Sequence, residues 1–304
     1  MNKRAALCPD GARDYRGAMP TPTATQVERI AAFSDGEAGG NPAGVMILGT
    51  LPAEAVMQSI AAQVGYSETV FAAPDGSGWR ARYFAPEVEV DFCGHATIAL
   101  GAALARRFGD GMFALRLNRA VITVEGRSAG MTASAALRSP PTRSRRAPAG
   151  LLAQALALFS LAEADLDERI SPAMAHAGAD HLVLALRERA RIAALRYDQA
   201  HGRALSLAEG IVTFSVIHAQ SRRLFHARNP FPIGGVYEDP ATGAAAAALG
   251  GYLRDLGWPH EGSIEIVQGE DMGCRSRLHA EIGPTAGEGV RVVGQARMLP
   301  QPRA

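Results

Sequence analysis

The chain has 304 residues, of which 47% are hydrophobic and 20% are charged, with 31 basic and 30 acidic side chains. A chain of this size and apolar content can bury one large hydrophobic core or two ordinary ones. The formal net charge of +1 gives no reason to expect nucleic acid or an anionic membrane as a partner. The sequence contains no run of 18 apolar residues, so we expect no membrane-spanning helix.

The first 25 residues are polar, rich in Pro, Thr and Arg, and lack the apolar centre of a signal peptide. We expect residues 1–25 to form a disordered extension, with Met19 as a second candidate start. The cysteines Cys8, Cys93 and Cys274 form no CxxC motif and no disulfide framework, which is typical of a reducing compartment. We therefore expect a cytoplasmic protein.

The hydrophobic pattern predicts alternating strands and helices in both halves of the chain. In the first half it predicts a strand at Val27–Phe33, a turn at Gly39–Gly44, a strand at Val45–Leu48, a helix at Pro52–Val64, strands at Glu68–Phe71, Trp79–Phe84 and Glu87–Asp91, a helix at Ala96–Phe108, and a hairpin of Ala120–Val124 with Gly130–Ala136. In the second half it predicts a helix at Leu151–Ser160, strands at His181–Leu186 and Ile211–Ile217, a helix at Ala244–Leu256, and strands at Ser263–Val267 and Val290–Val293. Between the halves, Ser139–Gly150 has three prolines and three arginines but no aromatic residue, which favours an exposed linker over a nucleic-acid-binding arm.

Two segments of similar design lead into the two alanine-rich helices, namely Asp91–Thr97 and Tyr237–Gly243. Both helices carry a Leu-Gly-x-x-Leu pattern, with Gly101 and Gly250 lying 149 residues apart, which indicates a weak internal duplication. The first amides of a helix have no internal partner and carry the positive end of its dipole, and small residues let a ligand come close. We therefore expect an anion pocket at each helix start and one active site built from both.

Three titratable residues are candidates for acid–base chemistry. Glu68 stands at the mouth of a strand beside apolar neighbours, where a carboxylate loses hydration and suits a general base for carbon acids; the alternative is a solvated turn residue. His95 lies in the first turn of a helix, where the dipole favours a neutral imidazole that donates a hydrogen bond or shuttles a proton; the alternative is a residue that only caps or packs. Asp239 precedes the second helix, where it is explained as a capping carboxylate; it takes part in function only if the two helix starts face one another and place it opposite Glu68 across one ligand.

Cys93 also precedes a helix start, where a thiolate would be activated. A two-thiol racemase needs a matching cysteine before the second helix, and Asp239 stands there instead, which argues against that mechanism. The eight histidines form no HxxxH or HxH pair, so we expect no metal.

Five motifs occur in an order that resembles the phenazine-biosynthesis PhzF-like proteins, which are relatives of diaminopimelate epimerase. They are Gly40-Asn41-Pro42-Ala43-Gly44-Val45, Ser67-Glu68-Thr69-Val70-Phe71, Arg82-Tyr83-Phe84-Ala85-Pro86, Cys93-Gly94-His95-Ala96-Thr97 and Glu238-Asp239-Pro240-Ala241-Thr242-Gly243. Gln268-Gly269 and Gly294 also match the closing strands of that family. The resemblance covers about Val27 to Gly294.

The resemblance implies an α+β fold of two similar domains, at 26–145 and 146–304, each a barrel-like mixed sheet around a central helix. It further implies an active site in the cleft between the domains, a homodimer, and no cofactor. By the same resemblance, Glu68 takes the role of the glutamate that moves a proton between carbons of a dihydro-hydroxyanthranilate ring, with His95 and Asp239 beside it. The residues expected to bind the small carboxylate substrate are Asn41, Gly94, Ala96, Thr97, Thr242, Gly243 and Ala244.

The sequence departs from the family pattern in ways that bear on the substrate. Ala244 stands where the family usually has a serine that contacts substrate, Ala85 replaces the threonine of Phe-Thr-Pro, and Gly269–Arg277 carries two arginines. Three hypotheses follow. The first is a cofactor-independent isomerase that uses Glu68 as acid and base. The others are an amino-acid racemase or epimerase and a non-catalytic binding or interaction protein on the same fold.

Overall fold

The computed structural model describes residues 22–129 and 132–301. Most of the expected N-terminal extension, with Met19, lies outside the described residues, and its last residues enter a single 3-10 turn at Ala24–Gln26. In the described part of the chain, no helix combines the length and the apolar character needed to cross a membrane.

Strands and helices alternate as the sequence predicts. The helices are α1 (Glu54–Val64), α2 (Gly94–Phe108), α3 (Ala149–Leu158), α4 (Arg189–Ala193), α5 (Gln199–Glu209) and α6 (Gly243–Asp255). The strands of the first half are β1 (Glu28–Ala32), β2 (Asn41–Ile47), β3 (Thr69–Asp75), β4 (Gly78–Phe84), β5 (Glu89–Val90), β6 (Gly111–Arg116), β7 (Val121–Ala129) and β8 (Thr132–Arg138). Those of the second half are β9 (Arg143–Arg146), β10 (Ala173–His176), β11 (Asp180–Ala185), β12 (Thr213–Ala219), β13 (Leu224–Pro230), β14 (Glu238–Asp239), β15 (Ser263–Gln268), β16 (Ser276–Glu281) and β17 (Arg291–Met298).

The chain forms two compact units. The first comprises, among the described residues, 22–32, 42–129, 132–137 and 295–301, and the second comprises Phe33–Asn41 and Arg138–Gly294. The chain passes from the first unit to the second after Leu137, and two short segments belong to the unit of the other half. Strand pairing explains both exchanges: the end of β17 pairs with β1, with Ile30 opposite Met298, while the amide of Gly40 donates to the Arg275 carbonyl at 3.2 Å.

The first unit is a closed, barrel-like sheet of eight strands around α2. The strands pair in the order β1, β2, β3, β4, β6, β7, β8 and β17, and β17 pairs back with β1. Two of these pairings are parallel, β2 with β3 across α1 and β4 with β6 across α2. The central helix packs against β1, β3, β6 and β7, and it is buried from His95 to Ala105, a stretch of small and apolar residues apart from the histidine. A second core lies under α1, where Met57 and Ile60 pack with Phe71 and Phe84.

The second unit repeats this pairing around α6. Its strands follow the order β9, β10, β11, β12, β13, β15, β16 and β17, again with two parallel pairings, β11 with β12 and β13 with β15. The central helix contacts β9 to β11 at one end of this row and β15 and β16 at the other, so the sheet curves around it. A two-residue strand precedes each central helix, since β5 pairs with β4 as β14 pairs with β13. The α+β fold of two similar units, each a mixed sheet around a central helix, is therefore confirmed, and the structure bears out the duplication inferred from the two Leu-Gly-x-x-Leu patterns.

Two local predictions are wrong. The segment Ser139–Gly150 is not simply a linker, because β9 lies within it and pairs antiparallel with β10. The prolines flank this strand rather than interrupt it, so the ladder keeps its donors. The turn at Gly39–Gly44 is also shorter than predicted: only Gly39 and Gly40 have left-handed φ values, of 60° and 85°, and β2 begins at Asn41.

Candidate active site

In the first unit, Glu68 and His95 meet at the start of the central helix. Glu68 directly precedes β3, and its carbonyl accepts from the amide of Gly44 at 3.1 Å. His95 is the second residue of α2, which follows β4 and β5. The His95 Nε2 atom lies 3.5 Å from Glu68 Oε2, and the side chains are 7% and 18% exposed, respectively. The pair therefore combines limited contact with water and access to a ligand.

His95 has a partner at each ring nitrogen. On the Nε2 side, the Ser67 hydroxyl lies at 3.4 Å in addition to the Glu68 carboxylate. On the Nδ1 side, the Sγ atom of the buried Cys93 lies at 3.2 Å. The imidazole thus connects a buried thiol to a partly exposed carboxylate, an arrangement suited to holding or moving a proton.

A buried chain of hydroxyl groups fixes the start of α2 from beneath. The Thr97 hydroxyl donates to the Cys93 carbonyl at 2.7 Å, so its oxygen accepts from the Tyr83 hydroxyl at 2.8 Å. Burial raises the pKa of Tyr83, which keeps this donor protonated. The amide of Thr97 also donates to the Cys93 carbonyl, at 3.0 Å. Thr97 therefore acts on the site through Cys93, whereas the amides of Gly94, His95 and Ala96 are those that a helix leaves without an internal acceptor.

In the second unit, Asp239 is the centre of a polar network at the start of α6. Its Oδ1 accepts from the Asn41 side-chain amide at 2.7 Å, and its Oδ2 accepts from the Thr242 hydroxyl at 2.6 Å. Asn41 also donates to the carbonyl of Ala241 at 3.3 Å. Since both carboxylate oxygens accept hydrogen bonds, the network holds the Asp239 carboxylate in one orientation.

Gln268 completes this network from β15. Its Nε2 donates to the Asp239 carbonyl at 2.6 Å and to the Thr242 hydroxyl at 2.9 Å, and its Oε1 accepts from the Thr242 amide at 3.2 Å. The amide of Thr242, which we expected to hold substrate, is therefore engaged within the protein. The amides of Gly243 and Ala244 follow it at the first two positions of α6, and both residues are half-buried.

A buried ion pair anchors the strand that carries Asp239. The Arg228 guanidinium donates from Nε and Nη2 to the two carboxylate oxygens of Glu238 at 2.7 Å and 2.9 Å. Its Nη1 donates to the carbonyls of Ile192, Ala193 and Leu195. Such a bidentate pair fixes orientation as well as charge, so it holds β14 and the approach to α6 in one geometry.

The cluster in the first unit has donor atoms that zinc also uses. One side-chain ligand atom each from Glu68, Cys93 and His95 lies within 4.8 Å of the others. However, the thiol and the carboxylate contact opposite nitrogens of the ring. A metal bound to one nitrogen needs its other ligands on that same side. This arrangement fits a hydrogen-bonded relay better than a metal centre.

The sequence-predicted residues thus fall into two groups, each within one unit. Glu68, Gly94, His95, Ala96 and Thr97 meet at the start of α2, and Asn41, Asp239, Thr242, Gly243 and Ala244 meet at the start of α6. The expected placement of the active site in an interdomain cleft stays a prediction. Sequence reasoning missed the roles of Tyr83 and Gln268, although both residues lie in or beside the motifs that carry the resemblance.

Comparisons with known proteins agree with this architecture. The sequence model of the phenazine biosynthesis-like family, PhzC-PhzF, matches residues 30–301. A protein from Deinococcus radiodurans named "uncharacterized isomerase" is 32% identical over 273 residues, which cover 85% of this chain and 87% of that protein. Among solved structures, a PhzF-family phenazine biosynthesis protein from Bacillus anthracis has a TM-score of 0.77 at 19% identity, covering 90% of this chain and 96% of that one. A probable proline racemase from Agrobacterium radiobacter has a TM-score of 0.62 at 10% identity, covering 91% and 92%, and shares the fold alone.

These matches define a diaminopimelate epimerase-like fold. The chain belongs to the phenazine biosynthesis-like PhzC-PhzF family. The predictions of family and of isomerase class are confirmed, because the family model covers nearly the whole described chain and several similar curated proteins are named isomerases.

Proposed function

We propose that the protein is a cofactor-independent isomerase that moves a proton on a small cyclic or acyclic carboxylate. Glu68 removes the proton from carbon and returns it, His95 assists at its side, and Asp239 fixes the start of α6. The observation that carries the proposal is the 3.5 Å contact between Glu68 Oε2 and His95 Nε2 at the N-terminus of a buried helix.

The surroundings of Glu68 support its role as the base. Its side chain is 18% exposed, so it keeps access to a ligand while most of it is shielded from water. General acid–base catalysis typically contributes between a hundredfold and ten-thousandfold in rate, given a group within reach of the proton. The first amides of α2, at Gly94 and His95, supply donors and the positive end of a dipole for the substrate carboxylate.

We also propose that the enzyme works as a cytoplasmic homodimer with a small carboxylate as its substrate and without nucleic-acid or membrane partners. The cysteines of the sequence form no CxxC motif and no disulfide framework, which supports a reducing compartment, and the homodimer rests on the resemblance to the family.

The test is incorporation of solvent deuterium, followed by mass spectrometry, into a panel of cyclic and amino carboxylates that includes dihydro-hydroxyanthranilate. The wild-type protein should label at least one compound at carbon, and Glu68→Gln should reduce the labelling rate at least a hundredfold. Glu87→Gln is the matched control, because it makes the same chemical change at an exposed glutamate of the same unit. Undiminished labelling by Glu68→Gln would overturn the assignment of the base.

The same experiment distinguishes the other hypotheses. Labelling with inversion of a chiral amino acid would indicate a racemase or epimerase. Binding of a panel compound without labelling would favour a non-catalytic protein, the reading for which Ala244 in place of the usual serine is the motivating residue.

A further inference from the structure

We infer that Cys93 is a positioning residue that sets the tautomer of His95: the Cys93 thiol donates to Nδ1, so that the ring proton sits on Nε2 and faces Glu68 and Ser67. The observation is the juxtaposition of a buried thiol at 3.2 Å from one ring nitrogen and a carboxylate at 3.5 Å from the other.

The donors and acceptors around the ring favour this tautomer. An ionised carboxylate only accepts, so Glu68 is satisfied by a proton on Nε2. On the other side, an unprotonated imidazole nitrogen is a good acceptor, whereas thiol sulfur is a weak one, so the favourable donor is the Cys93 S–H group. The opposite tautomer would place an unprotonated Nε2 next to the carboxylate, where two acceptors would face each other. Its Nδ1–H group would donate to sulfur, which is a weak acceptor.

The thiol is held in place for this role. Cys93 is the N-cap residue of α2, with φ −142° and ψ 119°, and its side chain makes no capping bond to the helix. Its carbonyl accepts from both the amide and the hydroxyl of Thr97, which in turn accepts from Tyr83. Because the backbone is fixed on two sides and the residue is buried, the sulfur is confined beside the ring.

The catalytic consequence rests on the proposed function. With the proton on Nε2, His95 directs an N–H group toward the Glu68 carboxylate, 3.5 Å away, and so orients it as a base in the resting enzyme. Without the thiol, the ring would lose its preference between tautomers and present a bare Nε2 to Glu68 part of the time.

The test uses the full chain labelled with ¹⁵N-histidine, and nitrogen chemical shifts measured by NMR near neutral pH. The His95 signals are assigned as those that vanish in His95→Asn. Wild-type protein should show an unprotonated Nδ1 and a protonated Nε2. Cys93→Ser, which keeps a donor, should preserve this pattern, and Cys93→Ala should give averaged shifts of a tautomer mixture. Circular dichroism and thermal unfolding confirm that each variant is folded.

A protonated Nδ1 in the wild-type protein, or a spectrum of Cys93→Ala identical to that of wild type, would overturn the inference. Neither result depends on a substrate, so the inference and the proposed function fail separately. With a labelled compound in hand, Cys93→Ala should lower kcat for deuterium exchange about tenfold with KM unchanged, since one neutral hydrogen bond is worth roughly that factor. Cys93→Ser should retain most of the wild-type kcat. An effect of Cys93→Ala on KM alone, with kcat unchanged, would count against a role in positioning the base.

Discussion

Gln268 is the residue on which the second polar network depends. It is 1% exposed and makes hydrogen bonds to the Asp239 carbonyl, the Thr242 hydroxyl and the Thr242 amide. If the Gln268 side chain were removed, each of these groups would lose a hydrogen-bond partner at a buried position where water cannot readily replace it. The residue therefore links the end of β15 to the start of α6.

We expect Gln268→Ala to lower the free energy of unfolding by about 2–3 kcal/mol, because a buried polar group left without a partner costs about 1–3 kcal/mol. Urea unfolding followed by circular dichroism measures this change. Gln58→Ala is the matched control: the half-buried Gln58 donates to the carbonyls of Ala85 and Pro86 at 2.8 Å and 3.0 Å, and water can replace it there. Its loss should cost under about 1 kcal/mol. Equal losses in the two variants would mean that the network is not what makes Gln268 important.

The two central helices differ in how closely the sheet approaches their middle glycines. A Cβ atom at Gly101 would lie 2.6 Å from Val124 Cγ2 and 3.0 Å from Ala135 Cβ. A Cβ atom at Gly250 would lie 3.2 Å from the nearest side-chain atoms, those of Ile282 and Val290. The first helix thus needs glycine for close packing, while the second has nearly enough room for a methyl group.

This difference predicts opposite outcomes for one substitution. Replacing glycine by alanine within a helix gains about 1 kcal/mol of helix propensity, and overpacking a core costs about 1–3 kcal/mol. We expect Gly101→Ala to destabilise the protein by up to about 2 kcal/mol and Gly250→Ala to be close to neutral or stabilising. The two variants serve as controls for each other in urea unfolding, and stabilisation by Gly101→Ala would contradict the packing argument.

The elements that the sequence predicts well are those whose pattern is local. The central helices are rich in small residues, and strand β4 before α2 alternates clearly. Strand β13 was not predicted, because Arg228 lies at a buried position where the hydrophobic pattern of a strand would have an apolar residue. The ion-pair partner of Arg228, Glu238, lies on strand β14, and only the fold brings the two side chains together. Glu68 and His95 can be predicted as site residues because residue type and local motif indicate them. The role of Gln268 cannot, because it depends on a contact with Thr242, 26 residues away in the sequence.

At the scale of the whole molecule, one architecture occurs twice with different chemistry at equivalent positions. The start of α2 carries a carboxylate, an imidazole and a thiol, which can exchange protons. The start of α6 carries an aspartate whose oxygens are both occupied by donors. Under the proposed function, the first unit supplies the acid–base chemistry, whereas in the second unit hydrogen bonds orient Asp239.

The second unit also encloses a histidine that cannot accept a proton without cost. His181 is fully buried, and its Nδ1 lies 2.8 Å from the Thr213 hydroxyl. That hydroxyl donates to Asn229 at 3.2 Å, so Nδ1 must be the donor to Thr213. Its Nε2 is buried without a hydrogen-bond partner in the described structure. Burial lowers the pKa of His181 to about 4, because a charged ring would leave its new N–H group unsatisfied.

Because of His181, we expect the free energy of unfolding to decrease in mild acid. The unfolded chain binds the proton below about pH 6.5, while the folded protein does not bind it until about pH 4. Stability therefore falls as the pH decreases through this window, by about 3 kcal/mol at most, and His181 contributes no further change below it. Carboxylates with lowered pKa values, such as Glu89 and Asp167, act at lower pH, since their contribution is lost only as the pH falls below their ordinary values.

The variant His181→Asn isolates the effect, because asparagine can donate to Thr213 but does not titrate. Urea unfolding of both proteins at pH 7, 5.5 and 4.5 gives the difference in the free energy of unfolding at each pH, in which the other titrating groups, including His226 and His260, cancel. We expect the wild-type protein to lose stability relative to the variant steadily across this range. If the difference in the free energy of unfolding between the two proteins stays constant with pH, His181 takes up no proton on unfolding in this window. The acid sensitivity would then originate in the remaining histidines.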